Sequence, residues 1–434
     1  MNLNPEFQRQ LYLEYSPARL MGVPSVLGII FSFSYFLDGY QWGVSTAQTA
    51  LTLFMLITLL WGARQCMDSI IEEYRENTWD TQRLSALGAW EMCWGKLFGS
   101  TVMVWYGGLL CLVVYSLAID HFSSLPLLLS YCVCIALLGQ SGSLLLGLLA
   151  VQRGQSKSSS IFVLAVLIFL SCWPWLTNIA NLADPISQPI SQHTTTWYDI
   201  SIDQQIFMQI SLVLALFWCS IGNYRLMTQE LGIRTTPWAW LGFNLFLIIY
   251  LGGLIPNSSF SFSLATFMTC AILTYAGLLV ERHDAMRIKR LLTYFKQGLW
   301  QRGCEEMPIW WLSFVLTLPA ALVLNFSEHA AFRGFSDLMH FYPLAMVLIL
   351  LRDCATYLYF SYSNNPQRAM SMTLLVGVLF YGIIPSIFNL LGQSGLAALF
   401  FPLWADSSMT ALIFALIQTG FVAYLLYQRW QSTT

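Results

Sequence analysis

Apolar runs of about 20 residues recur from one end of this 434-residue chain to the other, each long enough to cross roughly 30 Å of hydrocarbon as a helix. No other property restricts the fold so strongly. Lipid offers the backbone no hydrogen-bond partners, so every N–H and C=O in a span must be satisfied inside it, as a helix does. The runs lie near Met21–Leu37, Ala47–Ala63, Leu97–Ile119, Leu125–Val151, Ser160–Ile179 and Gln205–Met227. A second set lies near Trp238–Leu254, Phe260–Val280, Ile309–Leu324, His340–Tyr362, Met372–Leu391 and Met409–Tyr427. The expected fold is therefore all-α and polytopic, with about twelve transmembrane helices. Composition agrees, since charged residues are 10% of the chain against roughly 25% in a soluble domain.

With the N-terminus placed in the cytoplasm, all of the 20 Lys and Arg residues except Arg333 and Arg352 fall on the cytoplasmic side. The positive-inside rule then puts both termini in the cytoplasm, in a multi-pass protein of the cell (inner) membrane. The first residues lack a basic stretch followed by a short apolar core, so no cleavable signal peptide is expected. Phe7, Leu11, Tyr12 and Tyr15 instead suggest an amphipathic helix lying along the cytoplasmic interface.

The first six runs superpose on the second six at the level of hydropathy, with Leu60 falling on Leu279 and Met67 on Met286. This layout predicts two six-helix halves, residues 1–232 and 233–434, of the kind common in transporters. The ten cysteines are scattered and fit neither a disulfide framework nor a zinc spacing. The five histidines form no metal-binding pattern, and no paired carboxylates in a span suggest acid–base chemistry. Gly95-Lys96 resembles the tail of a phosphate-binding loop, but Leu97 replaces the Mg²⁺-binding hydroxyl. The chain is thus expected to be non-catalytic and free of cofactor and metal, with the bilayer and proteins, not nucleic acid, as its partners.

One polar segment, Met67–Lys96, interrupts the apolar pattern after the second run. Acidic Glu72 and Glu73 come first, then Asn77-Thr78-Trp79-Asp80, then Leu84-Ser85-Ala86-Leu87, Trp90-Glu91 and Gly95-Lys96. In this order the segment resembles the signature stretch of ABC-2-type transporter permeases. That family has acidic residues before a Gly-Thr, a Leu-Ser-Pro-Leu-like run, and a Gly-Lys that enters the third span. Asn77 stands where the family has glycine, and Ala86 and Ala89 stand where prolines are usual. The corresponding segment of the second half, from Glu281 to Gly303, is basic and lacks the signature.

The resemblance implies the membrane-spanning permease subunit of an ATP-binding cassette transporter that works as an exporter. ATP and Mg would be bound by separate cytoplasmic ATPase subunits, in two copies, docking on residues 67–96. It further implies that Glu72, Glu73, Thr78, Trp79, Asp80 and Arg83 form or position the helix that receives the ATPase. The alternatives are a twelve-span secondary transporter and, further away, a membrane-embedded transferase with its acids in the outer loops.

Arg352-Asp353 breaks the run from His340 to Tyr362. Each charge at a bilayer centre costs about 2.5–3.5 kcal/mol on insertion scales. Either the helix leaves the membrane early, bringing the pair to the interface before Pro366, or the pair faces a protein-lined interior. Adjacent residues on a helix do not face each other, which favours the interfacial placement.

Overall fold

The computed structural model describes residues 4–85, 87–118, 125–152, 194–255, 259–281, 283–326, 342–363, 368–405 and 407–433. It is helical almost throughout. The expected span Ser160–Ile179, the basic residues Arg153, Lys157, Arg282 and Arg333, and Pro366 lie outside the described residues. The chain divides into two compact units, one comprising Met1–Thr195 and Ser201–Thr235, the other Thr196–Ile200 and Thr236–Thr434.

The first unit begins with α1 (Pro5–Glu14), α2 (Pro17–Leu37) and α3 (Val44–Arg75). A short helix, α4 (Trp79–Arg83), then leads to α5 (Ala89–Ser100), α6 (Val102–Ala118) and α7 (Leu125–Gln152). Strands β1 (Thr194–Trp197) and β2 (Ile200–Asp203) form a hairpin ahead of α8 (Gln204–Glu230). The second unit contains α9 (Trp238–Gly252), α10 (Ser259–Val280), α11 (Ala285–Lys296) and α12 (Trp300–Glu306). It continues through α13 (Ile309–Phe326), α14 (Pro343–Ser361), α15 (Ala369–Leu390), α16 (Ser394–Phe400) and α17 (Ser408–Thr433).

Among the described residues, nine helices are long and apolar enough to cross a membrane, or ten if α5 and α6 form one broken span. This is a multi-pass membrane protein. The run Leu97–Ile119 is not the single straight span expected, because α5 and α6 meet at an angle of 54°. At the end of α5, Ser100 Oγ and Thr101 Oγ1 donate back to the Lys96 and Leu97 carbonyls, each at 2.7 Å. The expected span Trp238–Leu254 is also shorter, its helix of 15 residues reaching only about 22 Å at 1.5 Å per residue.

The core of the first unit joins α2, α3, α6 and α7 through Phe31, Phe54, Cys111, Leu112, Leu128 and Cys132. A polar strut runs through it. Buried Gln140 of α7 donates to the Thr58 carbonyl at 3.2 Å and accepts from Trp105 Nε1 at 3.0 Å. Thr58 belongs to a π-helical stretch of α3, Leu56–Trp61, and Gln140 satisfies a carbonyl there that lipid could not. In the second unit, Phe267, Ala321, Leu324 and Val347 bring α10, α13 and α14 together. Ile349, Phe401, Ala411 and Ala415 tie α14 to α17 and to the turn after α16.

Candidate functional site

The segment that resembles the permease signature is a helix, a turn and a short helix. At the end of α3 the Asn77 N–H donates to the Tyr74 carbonyl at 3.3 Å and the Thr78 N–H to the Glu73 carbonyl at 3.0 Å. This is the Schellman pattern of helix termination, and it requires a left-handed residue between the two donors. Asn77 has φ +57° and is that residue. Asparagine tolerates that conformation better than other residues with a side chain.

The acidic pair splits here. Glu72 is exposed, whereas Glu73 turns into the protein and its side chain is only 11% exposed. There it meets Lys96, which is fully buried, and Arg9 of the N-terminal helix. Lys96 Nζ also lies 3.1 Å from Glu6, and Arg9 Nη2 lies 2.8 Å from the same carboxylate. Gln10 Nε2 donates to both carboxylates, at 3.1 Å to Glu6 and 3.3 Å to Glu73. Trp79, almost entirely buried, covers the ammonium with its ring centroid 5.5 Å from Nζ. Two carboxylates and two cations thus form an electrically balanced cluster, the condition under which charges can be buried at acceptable cost. Burial alone would raise the Glu6 carboxyl pKa, but hydrogen bonds from Arg9 and Gln10 and the Lys96 charge outweigh it and hold it below the usual carboxylate range.

Glu73 and Trp79 are enclosed by this cluster, whereas Glu72, Thr78, Asp80 and Arg83 are exposed. The N-terminal helix does not simply lie on the lipid interface, because it packs on α5. A Cβ added at Gly95 would come within 2.6 Å of Glu6 Cβ and 2.9 Å of the Phe7 backbone nitrogen, and one at Gly99 within 2.6 Å of Gln10 Cβ. Glycine at both positions lets the backbones approach closely, as small residues do at helix contacts in membranes. The sequence signal for this contact was the spacing of Glu6, Arg9 and Gln10, three and four residues apart on one helical face.

The second unit repeats the turn. Gly298, at φ +72°, follows α11, with its N–H on the Phe295 carbonyl at 3.1 Å and the Leu299 N–H on the Tyr294 carbonyl at 2.9 Å. A short helix comes next here as well. Arg287 anchors this segment on Glu281 at 2.5 Å, leaving Arg290, Lys296 and Arg302 exposed.

Arg352 and Asp353 lie near the midpoint of the 19-residue α14, which continues to Ser361. The helix therefore runs on for eight residues beyond the pair. Adjacency does not keep the two apart: the long Arg352 side chain curls so that Nε and Nη2 donate to Asp353 Oδ1 at 3.1 and 2.8 Å. The i, i+1 rule describes where side chains start, and arginine is long enough to reach around. Tyr275 donates to Asp353 Oδ2 at 2.8 Å, and Tyr381 donates to the same atom. Gln418 accepts from Arg352 Nη1, and the Tyr381 ring centroid lies 5.0 Å from the guanidinium carbon. A π-helical stretch of α15, Leu379–Ile383, presents Phe380 and Tyr381 to this pair. Pro385 follows it and has no N–H to continue the α register.

Comparison with protein-family models, curated proteins and solved structures finds no match to this chain.

Proposed function

We propose that this chain is the membrane-spanning subunit of an ABC-type transporter, an exporter powered by separate ATPase subunits. It would lie in the inner membrane with both termini in the cytoplasm and twelve spans in two six-helix halves. The observation that carries this reading is the polar platform at the end of α3. Its exposed Glu72, Thr78, Asp80 and Arg83 are backed by an internal ion cluster that ties the turn to α1 and α5. A platform of this kind can transmit force, since motion imposed on it must move the helices it is bonded to. The contacts would differ between the two transport states, as coupling demands. The second helix–turn–helix, with exposed Arg290, Lys296 and Arg302, would receive a second ATPase, giving one chain to two ATPase subunits. Native mass spectrometry of the complex purified from its own membrane tests that ratio, and two copies of this chain in the smallest active assembly would exclude it.

Charge reversal is informative only at exposed positions. Glu72 and Asp80 make no more than surface ion pairs, at 4.0 Å with Arg75 and 3.4 Å with Arg83, each worth about 0–1 kcal/mol. A Glu72→Lys, Asp80→Lys variant should therefore fold normally. Desolvated charges in an interface are worth about 2–5 kcal/mol, so association with the ATPase should weaken at least about tenfold. Asp199→Lys, in the turn of the hairpin, is the control and should leave association unchanged. A double variant with unaltered association would remove the platform from the docking surface.

Orientation is tested independently, by single cysteines in a cysteine-free background. A cysteine at Thr81 should react with an impermeant maleimide only in inside-out vesicles, and one at Asp199 in intact cells. The opposite pattern inverts the topology.

A second reading, a secondary transporter, is favoured by the partly buried Asp353 carboxylate, since an ionisable group within a span commonly marks an ion pathway. Reconstitution of the chain alone separates the two readings: uptake driven by a proton or sodium gradient without any ATPase supports the second.

A further inference from the structure

Beside Arg352 and Asp353 the second unit has a half-open cavity of about 680 Å³. Its walls come from α10, α14, α15 and α17 and include Leu278, Leu374, Val376, Gly377, Phe421 and Val422. The volume falls within the roughly 300–1,000 Å³ of small-molecule sites, which are largely apolar with a few placed polar groups. Those polar groups are here the ion pair and its partners.

The hydrogen bonds of the pair restrict what the cavity can take. Asp353 is saturated, because Oδ1 accepts twice from Arg352 and Oδ2 accepts from Tyr275 and Tyr381. Gln418 is held in place by its own donation to the Leu399 and Phe400 carbonyls, the latter at 3.1 Å. Arg352 is not saturated. A guanidinium carries five N–H groups. Nε and one hydrogen of Nη2 are used by Asp353, one hydrogen of Nη1 by Gln418, and a fourth N–H faces the Tyr381 hydroxyl, so one N–H has no acceptor among the described residues. The Arg352 side chain is only 6% exposed, so this is a buried donor beside an apolar cavity. Leaving such a donor unpaired is costly, and a ligand oxygen would satisfy it.

Charge excludes two of the three kinds of head group that could bring that oxygen. The pair is already neutral, so an ionic head would add an uncompensated charge to a largely apolar site, which is costly. A cation would also have to displace a donor from saturated Asp353. We propose that this cavity binds an uncharged amphipathic molecule, its apolar chain along the walls and a carbonyl or hydroxyl oxygen of its head on the open N–H of Arg352. The site belongs to the chain alone and depends on neither an ATPase nor an ion gradient.

Photolabelling of the purified full-length chain in phosphatidylcholine nanodiscs tests this. The probe is a monoacylglycerol with a diazirine in its acyl chain; the competitors are the unlabelled monoacylglycerol, the fatty acid and the alkylamine of equal chain length. The expected result is saturable labelling of peptides from α15 and α17, displaced by the neutral competitor and much less by either ionic one. Gly377→Leu fills the cavity. Its Cβ would meet only Tyr381 ring atoms, at 3.8 and 3.9 Å, which is ordinary contact, so the fold should hold. This variant should label about tenfold less, equivalent to ~1.4 kcal/mol of lost binding. Arg352→Lys, which lacks the planar fork, should also label less. Equal labelling of parent and Gly377→Leu would show general contact with lipid and overturn the proposal. Stronger displacement by the fatty acid or the amine would overturn it too, on the parent chain alone and whatever the variants do.

Discussion

Lys96→Met is expected to leave little folded protein. The substitution keeps the length of the side chain and removes the one ammonium between Glu6 and Glu73, which stay buried with only Arg9 to balance them. Removing one partner from a buried ion pair costs about 3–5 kcal/mol, a large share of the 5–15 kcal/mol that holds a typical domain together. Combining Lys96→Met with Glu73→Gln restores the balance of charge and should recover most of the loss. Thermal unfolding in nanodiscs and recovery on size exclusion measure both effects. If Lys96→Met unfolds at the parental temperature, the cluster is not holding the platform.

The same cluster sets an acid-side dependence. The Glu6 pKa is lowered in the folded chain, so its stabilising contribution is complete above the ordinary carboxylate value of 4.5. It is lost as pH falls through the depressed value. Glu6→Gln should therefore lower stability near neutral pH and flatten its decline in acid. An unchanged slope would mean that Glu6 is not the group responsible.

The second large effect concerns Gly95. Leucine there would drive a Cβ to 2.6 Å from Glu6 Cβ and 2.9 Å from the Phe7 nitrogen. One of these atoms is backbone, so no rotamer relieves the overlap, and α1 has to lift from α5. Overpacking typically costs about 1–3 kcal/mol. Here the displacement also carries Glu6 and Arg9 away from Lys96, so the loss should exceed that range. Residues 1–14 should become sensitive to protease while the long helices stay protected. Gly95→Leu with an N-terminal helix as resistant as in the parent would contradict the close contact.

The long apolar helices were legible because burial in lipid imposes a simple requirement, length and apolarity, that each stretch satisfies by itself. The break at Thr101 was less so, since the hydropathy runs through it unchanged. The residues of the candidate site were legible in proportion to their locality. The turn at Asn77 is a property of its own backbone. The fate of Glu73 could not be read, because its partners are 23 residues ahead at Lys96 and 64 behind at Arg9. Neighbouring Glu72 has the same chemistry and the opposite environment. For Arg352-Asp353 the sequence showed the cost of the charges but not Tyr275, Tyr381 and Gln418, which come from three other helices and offset it.

The length of α3 has a further consequence. Its 32 residues extend for about 48 Å, while the hydrocarbon it crosses is roughly 30 Å thick. Some 18 Å of rigid rod therefore stands outside the oily layer, more than the roughly 5–8 Å of one headgroup region. The turn at Asn77 is thus raised to the level of the bulk solution, as if on a pedestal. A soluble protein reaching it need not push phospholipids aside, and the strength of that encounter should depend little on whether the surrounding headgroups are anionic or neutral.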